Sequence, residues 1–218
     1  ALGGRSGHEL LVVEAGAYDG LQYSNSLFLE LERNWSCLLV EGNPVLQEQI
    51  VRSGRGCHLF RGALSPVPRF ALLDFQLAGT LGGVVSAYDA NSAKRAADGV
   101  RHHKGDVVQY AGAGDGRTVH VPCFPLHKLV AALGRSTVDY RSLDTEGSEA
   151  AILEATDFAK VEVGVLTVEH NLQRVRYDIS RVLQRNGFKR VVIKKQDDYW
   201  ANPRYFARRN LPMPYPEV

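Results

Sequence analysis

At 218 residues and 44% hydrophobic content, the chain has the size of one domain, with room for a sizeable insertion and an adequate core. A net charge of +2 implies neither a nucleic-acid footprint nor an acidic tail. The denser basic stretches, Arg101-His102-His103-Lys104 and Arg204 to Arg209, read as solvated surface. No apolar run of roughly eighteen residues exists, so no segment of this chain spans a membrane. The start, Ala1-Leu2-Gly3-Gly4, lacks Met and suits a piece of a longer protein whose leading segment has been removed. Among three cysteines, Cys37 reads as a buried thiol in a core strand, while Cys57 and Cys123 could form one disulfide, which the sequence does not decide. The absence of Cys-x-x-Cys argues against structural zinc.

The first predicted strand, residues 9–15, runs into Glu14-Ala15-Gly16-Ala17-Tyr18-Asp19-Gly20 and then a helix over residues 24–33. Glycine at a strand end lets backbone approach a ligand, because there is no Cβ and positive φ is permitted. The helix that follows presents free N–H groups to a polar or anionic group. Glu14 and Asp19 would repel phosphate and instead suit an amine, a sulfonium or ribose hydroxyls, all of which S-adenosylmethionine carries. A second strand, Cys37 to Glu41, also ends in an acid and precedes Gly42-Asn43-Pro44 and a helix over residues 44–52. Glu41 falls about twenty residues beyond Gly20, the spacing at which a strand-ending acid takes ribose hydroxyls. A third strand, residues 57–62, ends in Ala63-Leu64-Ser65, which would edge an adenine ring. The predicted cofactor contacts are thus Glu14, Gly16, Ala17, Tyr18, Asp19, Gly20, Ser24, Glu41, Gly42, Asn43, Ala63, Leu64 and Ser65, with Asp144 from further along.

Residues 70–75 read as another strand. Residues 78–116 are rich in Gly, Ala and Ser without periodicity and read as an irregular insertion or lid. Beyond it the rhythm returns: a helix over 125–133, strand 137–144, helix 148–155, strand 163–169, helix 171–186 and strand 189–194. The long helix places Leu172, Val175, Ile179, Val182 and Leu183 on one face and stops at Asn186-Gly187. Residues 199–207 would return as an antiparallel strand. This alternation predicts a single Rossmann-like α/β domain, a mainly parallel seven-stranded sheet with helices on both faces.

Ligands in such sheets bind beyond the carboxyl ends of strands. There the sequence places Asp144 and Glu146 after one strand and Glu169, His170 and Asn171 after its neighbour. Two mechanisms fit these residues. Asp144 or His170 acts as general base on an attacking hydroxyl, with Glu146 beside them. Alternatively Asp144, Glu169, His170 and Asn171 hold Mg²⁺ or Mn²⁺, whose charge lowers the hydroxyl pKa.

The segments V-E-A-G-A-Y-D-G with Ser24-Asn25-Ser26, L-E-R-N-W-S-C-L-L-V-E-G-N-P, V-D-Y-R-S-L-D-T-E-G-S-E and L-T-V-E-H-N occur in this order, and together they resemble the FkbM-like methyltransferases, closest to the animal-type branch. The resemblance runs from about Leu11 to Ile193, with Gly42 standing where many relatives have another residue. It implies an S-adenosylmethionine-dependent O-methyltransferase of the Rossmann-like class, acting on a hydroxyl of a sugar or glycan. The alternatives are a small polyketide-like alcohol as acceptor, or an inactive binding module of the same fold. Neither nucleic acid nor a membrane span is expected, and oligomeric state stays open. Asn34-Trp35-Ser36 is a formal glycosylation sequon, so both the secretory lumen and the cytoplasm remain open.

Overall fold

The computed structural model describes residues 9–88, 93–97, 114–170 and 173–214. The first half of the chain gives β1 (Leu11–Ala15), α1 (Leu27–Arg33), β2 (Ser36–Glu41), α2 (Pro44–Arg52) and β3 (His58–Arg61). Next come β4 (Ala63–Leu64), β5 (Ala71–Gln76), β6 (Gly83–Val84), a helical turn α3 (residues 93–97) and β7 (Thr118–Phe124). The second half gives α4 (Leu126–Ala132), β8 (Thr137–Leu143), α5 (Glu149–Ala155) and β9 (Glu162–Glu169). It closes with α6 (Gln173–Arg185), β10 (Lys189–Lys194), β11 (Asp197–Ala201) and α7 (Pro203–Arg208).

Seven strands form the main sheet in the order β10-β11-β9-β8-β1-β2-β3. β3, β2, β1, β8 and β9 pair in parallel, whereas β11 runs antiparallel to both β9 and β10. The sheet is therefore mixed rather than wholly parallel, with β11 reversed. The antiparallel return comes earlier than residues 199–207, because Asn202 caps a new helix by accepting from the Arg204 N–H at 3.1 Å and Pro203 fills its first position.

A second sheet, β4-β7-β5-β6, is inserted between β3 and α4. β5 matches the strand expected at residues 70–75. β7 was not legible: Pro122 falls within it, and Thr118 and His120 interleave polar residues among its apolar ones. Part of the expected irregular stretch is ordered as β6, two short 3₁₀ turns and α3. Its residues 89–92 and 98–113, with His102 and His103, lie outside the described residues, as do Asn171 and Leu172.

The faces of the sheet bury separate apolar groups. Leu38 and Val40 of β2 join Leu11, Val13 and Ala15 in the largest core, packed on Leu126 and Val130 of α4, Ile152 and Leu153 of α5, and Ile179, Val182 and Leu183 of α6. Leu39, pointing the opposite way from its neighbours in the strand, packs instead with Ile50 of α2 and Ala17. Tyr205 and Phe206 of α7 cover Ala201 and Val165. Tyr205 also donates to Asp139 at 2.6 Å, and Asp139 accepts from the Leu11 N–H at 2.7 Å, which fixes where β1 begins.

The cysteine pairing differs from expectation. Cys37 is bonded to Cys57, and Cys123 is a buried free thiol in β7. The sheet register explains this. Leu38 pairs with His58, so Cys37 and Cys57 occupy the preceding level of two adjacent parallel strands, with Cα atoms 4.7 Å apart.

Arg141 is the anomaly of the core. It sits in β8 level with Val13 of β1 and Leu166 of β9, both core residues, and is completely buried. Nε, Nη1 and Nη2 have no hydrogen-bond partner among the described residues. Burial alone pushes its pKa down to about 9, so it stays charged at neutral pH with no counter-ion among the described residues. Arg141→Met keeps the volume and removes the charge. It is expected to raise stability by on the order of 1–4 kcal/mol, read as a higher urea midpoint at unchanged slope. A lower midpoint would mean that the guanidinium has a partner in solution.

Candidate active site

A cavity of about 330 Å³ opens at the carboxyl ends of β1, β2 and β8. The chain turns there because Gly16 adopts φ +82° and its N–H, with that of Ala17, donates to the Val40 carbonyl at 3.1 and 3.3 Å. A Cβ on Gly16 would lie 1.6 Å from the Asp144 carbonyl oxygen, so no other residue permits this crossing. Gly16 and Asp144 consequently form one continuous stretch of cavity wall.

Glu41 ends β2 inside the cavity. Its Oε2 accepts from the Tyr18 N–H at 2.9 Å and its Oε1 from the Asn43 N–H at 2.8 Å, so two backbone donors fix the plane of the carboxylate. Asn43 caps α2, accepting from the Val45 N–H at 3.1 Å, with Pro44 at the first helical position. Burial pushes the Glu41 pKa up to about 7, against the lowering effect of these backbone donors. Gly42 is the next wall residue, and a Cβ there would strike the Phe75 ring at 2.4 Å, so the second sheet closes directly onto the end of β2. Gly62, Ala63 and Leu64 continue the wall, and Gly79, Thr80, Gly82, Gly83 and Val84 of the insertion cover it.

Of the expected cofactor contacts, Gly16, Tyr18, Glu41, Gly42, Ala63, Leu64 and Asp144 line the cavity. Glu14, Ala17, Asp19, Gly20, Ser24, Asn43 and Ser65 are not among the residues that line it. Glu14 is buried and accepts from Ser24 Oγ at 2.8 Å, Ser26 Oγ at 2.5 Å and the Asn25 N–H at 2.6 Å. Asp19 Oδ1 accepts from the Leu21 and Gln22 N–H groups at 2.8 and 2.7 Å. Ser65 Oγ donates to the Arg69 carbonyl at 2.8 Å, and Ala17 belongs to the core under α2. Gln22, Tyr23 and Asn25 line the cavity without having been read from the sequence. Tyr18 and Tyr23 are both left-handed, at φ +52° and +60°. Strained backbone held in place by its surroundings is the available signal, and it is invisible in sequence.

Acids dominate the rim. Asp144 is hydrogen-bonded to Glu169, and burial followed by the Glu169 charge holds its pKa well above the usual carboxylate range. Asp144 Oδ1 has no hydrogen-bond partner among the described residues. Glu146, left-handed at φ +57°, pairs with Arg95 of α3 at 2.8 Å. Its pKa is pushed up to about 7 by burial and by Glu169, against the pull of Arg95. Glu149 was missed in the sequence. It accepts from the Thr145 N–H at 2.7 Å and the Gly147 N–H at 3.0 Å, tying the rim turn to the start of α5. An acid in the first turn of a predicted helix is the signal that would have found it. Oxygens of Asp144, Glu149 and Glu169 lie within 4.8 Å of one another.

His170 is not brought to this rim. It is buried, with Nε2 3.6 Å from Asp198, too long for a hydrogen bond. Asp198 is itself held by Arg176 through two hydrogen bonds of 2.9 and 2.8 Å and by Arg190 at 3.3 Å. Asn171, the fourth expected metal ligand, lies outside the described residues.

Among solved structures the chain is similar to precorrin-6y C5,15-methyltransferase from Geobacter metallireducens, at 12% identity and a TM-score of 0.43, covering 88% of this chain and 78% of that one. It is also similar to a methyltransferase from Pyrococcus furiosus, at 9% identity and a TM-score of 0.40, covering 88% of this chain and 73% of that one. No curated protein sequence matches it. The family model described as the methyltransferase FkbM domain matches residues 14–190, and the chain belongs to that family.

Proposed function

We propose that this chain is an S-adenosylmethionine-dependent O-methyltransferase acting on a hydroxyl of a sugar or glycan. The observation that carries the reading is the Glu41 carboxylate, presented to a cavity with each oxygen already held by one backbone N–H. Each oxygen keeps acceptor capacity for one ribose hydroxyl. Gly16 provides the close backbone approach, and Ala63 and Leu64 the apolar edge for an adenine. When bound, S-adenosylmethionine supplies an electrophilic methyl group on a sulfonium, and the acidic rim favours that positive charge.

The chain's own part in the reaction is to hold the acceptor and receive its proton. Asp144 and Glu169 share a hydrogen bond and thus one proton and one negative charge. As the acceptor oxygen bonds to the methyl carbon, its proton passes to Asp144 Oδ1, which has no partner among the described residues, while the proton already on the pair moves across the hydrogen bond to Glu169, and the pair becomes neutral. The polar lining from Gln22, Asn25, Thr80, Thr145 and Ser148 suits an acceptor with several hydroxyls. The Cys37–Cys57 bridge favours the secretory lumen over the cytoplasm, because disulfides persist where thiols are kept oxidised.

A second reading rests on the three acids within 4.8 Å. Asp144, Glu169 and Glu149 offer oxygen ligands suited to Mg²⁺ or Mn²⁺, which would lower the pKa of a bound hydroxyl. The fit is partial, since Glu149 already serves backbone donors, and His170 faces Asp198 instead.

Two experiments test these readings. Titration calorimetry with S-adenosylmethionine from pH 5.5 to 8.5 should show affinity rising with pH and levelling above about 7. The sign follows from Glu41: ribose hydroxyls donate to the ionised form, so binding below its pKa must release its proton. Glu41→Gln should flatten this profile and weaken binding by ~1.5–3 kcal/mol at high pH. Identical profiles would remove Glu41 from the site.

Turnover is the second readout. Asp144→Asn should reduce it by roughly 10²–10⁴ with little change in cofactor affinity. If Asp144 acts on the proton directly, exhaustive treatment with EDTA leaves wild-type turnover unchanged. Loss of turnover with EDTA, restored by Mn²⁺ or Mg²⁺, selects the cation reading.

A further inference from the structure

The loop that carries Gln22, Tyr23 and Asn25 into the cavity has few apolar contacts, the Tyr23 ring lying 6.3 Å from that of Tyr18. Leu21 is 48% exposed, Tyr23 is 81% exposed, and α1 after it contributes no buried residue. Its position depends on charge. From the inside Glu14 accepts from the hydroxyls of Ser24 and Ser26. From the outside Arg55, on the turn between α2 and β3, donates to the same hydroxyls, at 3.1 Å from Nη1 and 2.9 Å from Nη2. Arg55 also donates to the Gly20 carbonyl and pairs with Glu30. Each hydroxyl thus gives a proton toward a carboxylate and accepts one from a guanidinium, and a charge-assisted bond at each end strengthens both. The Arg55 side chain is only 2% exposed, so water screens this network little.

Arg55 needs fixing in turn, because it stands between Gly54, at φ +73°, and Gly56. Two residues beyond it, Cys57 is tied to Cys37 in β2, and Arg55 Nη2 lies 3.3 Å from the Cys57 sulfur. Arg55 is the polar connection from this bridge to the loop over residues 20–26, while Cys57 also packs against Ala17, Leu39 and Ile50.

We propose that Arg55 is a positioning residue for the cofactor wall and that the Cys37–Cys57 bridge sets its position, making cofactor affinity redox-dependent. The proposal rests on the cofactor reading of the cavity. Reduction by a dithiol breaks the S–S bond: the bridge takes up two electrons and two protons, giving two thiols, and the dithiol becomes a disulfide. The 53–57 turn is then released from β2, and the loop over residues 20–26 loses the outer half of its support.

The test is titration with S-adenosylhomocysteine of the oxidised chain, the dithiothreitol-reduced chain, a Cys37→Ser/Cys57→Ser double variant, Arg55→Met and Arg55→Lys. Hydrogen exchange at residues 20–26 is followed in parallel. Reduction, the double serine variant and Arg55→Met should each raise Kd roughly 5–150-fold, the usual span of coupling between sites. Reducing Arg55→Met should add less than about twofold, since both changes cut one connection. Arg55→Lys should recover part of the loss. A bridge and arginine serving stability alone would lower the melting temperature while Kd per folded molecule stayed within about twofold, and that result overturns the proposal. Should the oxidised chain bind no S-adenosylhomocysteine, the cofactor reading fails separately. Faster exchange at residues 20–26 on reduction and in Arg55→Met would still support the bracing, and unchanged exchange would reject it.

Discussion

The site depends on one close approach, the passage of Gly16 across the carbonyl of Asp144. β1 and β8 are adjacent parallel strands whose ladder continues through the Asp144 N–H to the Ala15 carbonyl at 3.0 Å. With a Cβ at position 16 those two strand ends would have to separate, because the atom would fall 1.6 Å from backbone oxygen. Everything chemical is arranged around this contact. On one side of it lie Tyr18 and Glu41, on the other Asp144 and Glu146, and the distance between the two groups is set by backbone alone. Such a site does not rely on side-chain rotamers to hold its halves in register.

The residues around the crossing form two shells with different physics. The inner one is a wall of backbone and a few acids, with Glu41 oriented by N–H donors. The outer one is a set of buried polar residues that hold the wall: Glu14 with Ser24, Ser26 and Asn25, Asp19 with its own turn, Asn43 at the head of α2. Polar residues do this work because the loop between β1 and α1 curls over the sheet end, where its backbone N–H groups have no ladder to join. Glu14 and Asp19 satisfy them, as buried donors require.

β1 and β2 were legible in the sequence because each is short, apolar and followed by glycine, and β8 because it ends at an acid. The strand ends of β1, β2 and β8 also showed which acids would meet. What sequence could not separate was an acid that faces the cavity from one that faces the loop. Glu14 and Glu41 occupy the same place in two similar strands, yet Glu41 faces the cavity and Glu14 turns to three donors supplied by Ser24–Ser26. The surroundings of His170 were hidden for a related reason. Its strand neighbour β11 brings Asp198 from far along the chain, and Asp198 in turn holds Arg176 of α6 and Arg190 of β10. The Cys37–Cys57 bridge depends on pairing of β2 with β3, a fact of register rather than of spacing. The second sheet was hidden by Pro122 and by the glycine-rich composition of its covering turns.

The accumulation of acids gives the cavity a preference of its own. Glu41 and Glu146 are both pushed up to about 7, and Asp144 and Glu149 are raised as well, each chiefly by burial. A pocket in which several carboxylates resist ionisation gains from any ligand that brings positive charge or hydrogen-bond donors to them. A sulfonium, an amine and a ribose diol do both, whereas a phosphate-bearing cofactor would meet repulsion from every side. Arg95 is the exception that the protein supplies itself, reaching Glu146 from α3 in the insertion. It offsets the charge of Glu146, whose pKa it pulls down against burial and Glu169. Asp144 Oδ1, which has no hydrogen-bond partner among the described residues, is the oxygen on this rim that the proposed proton transfer would use.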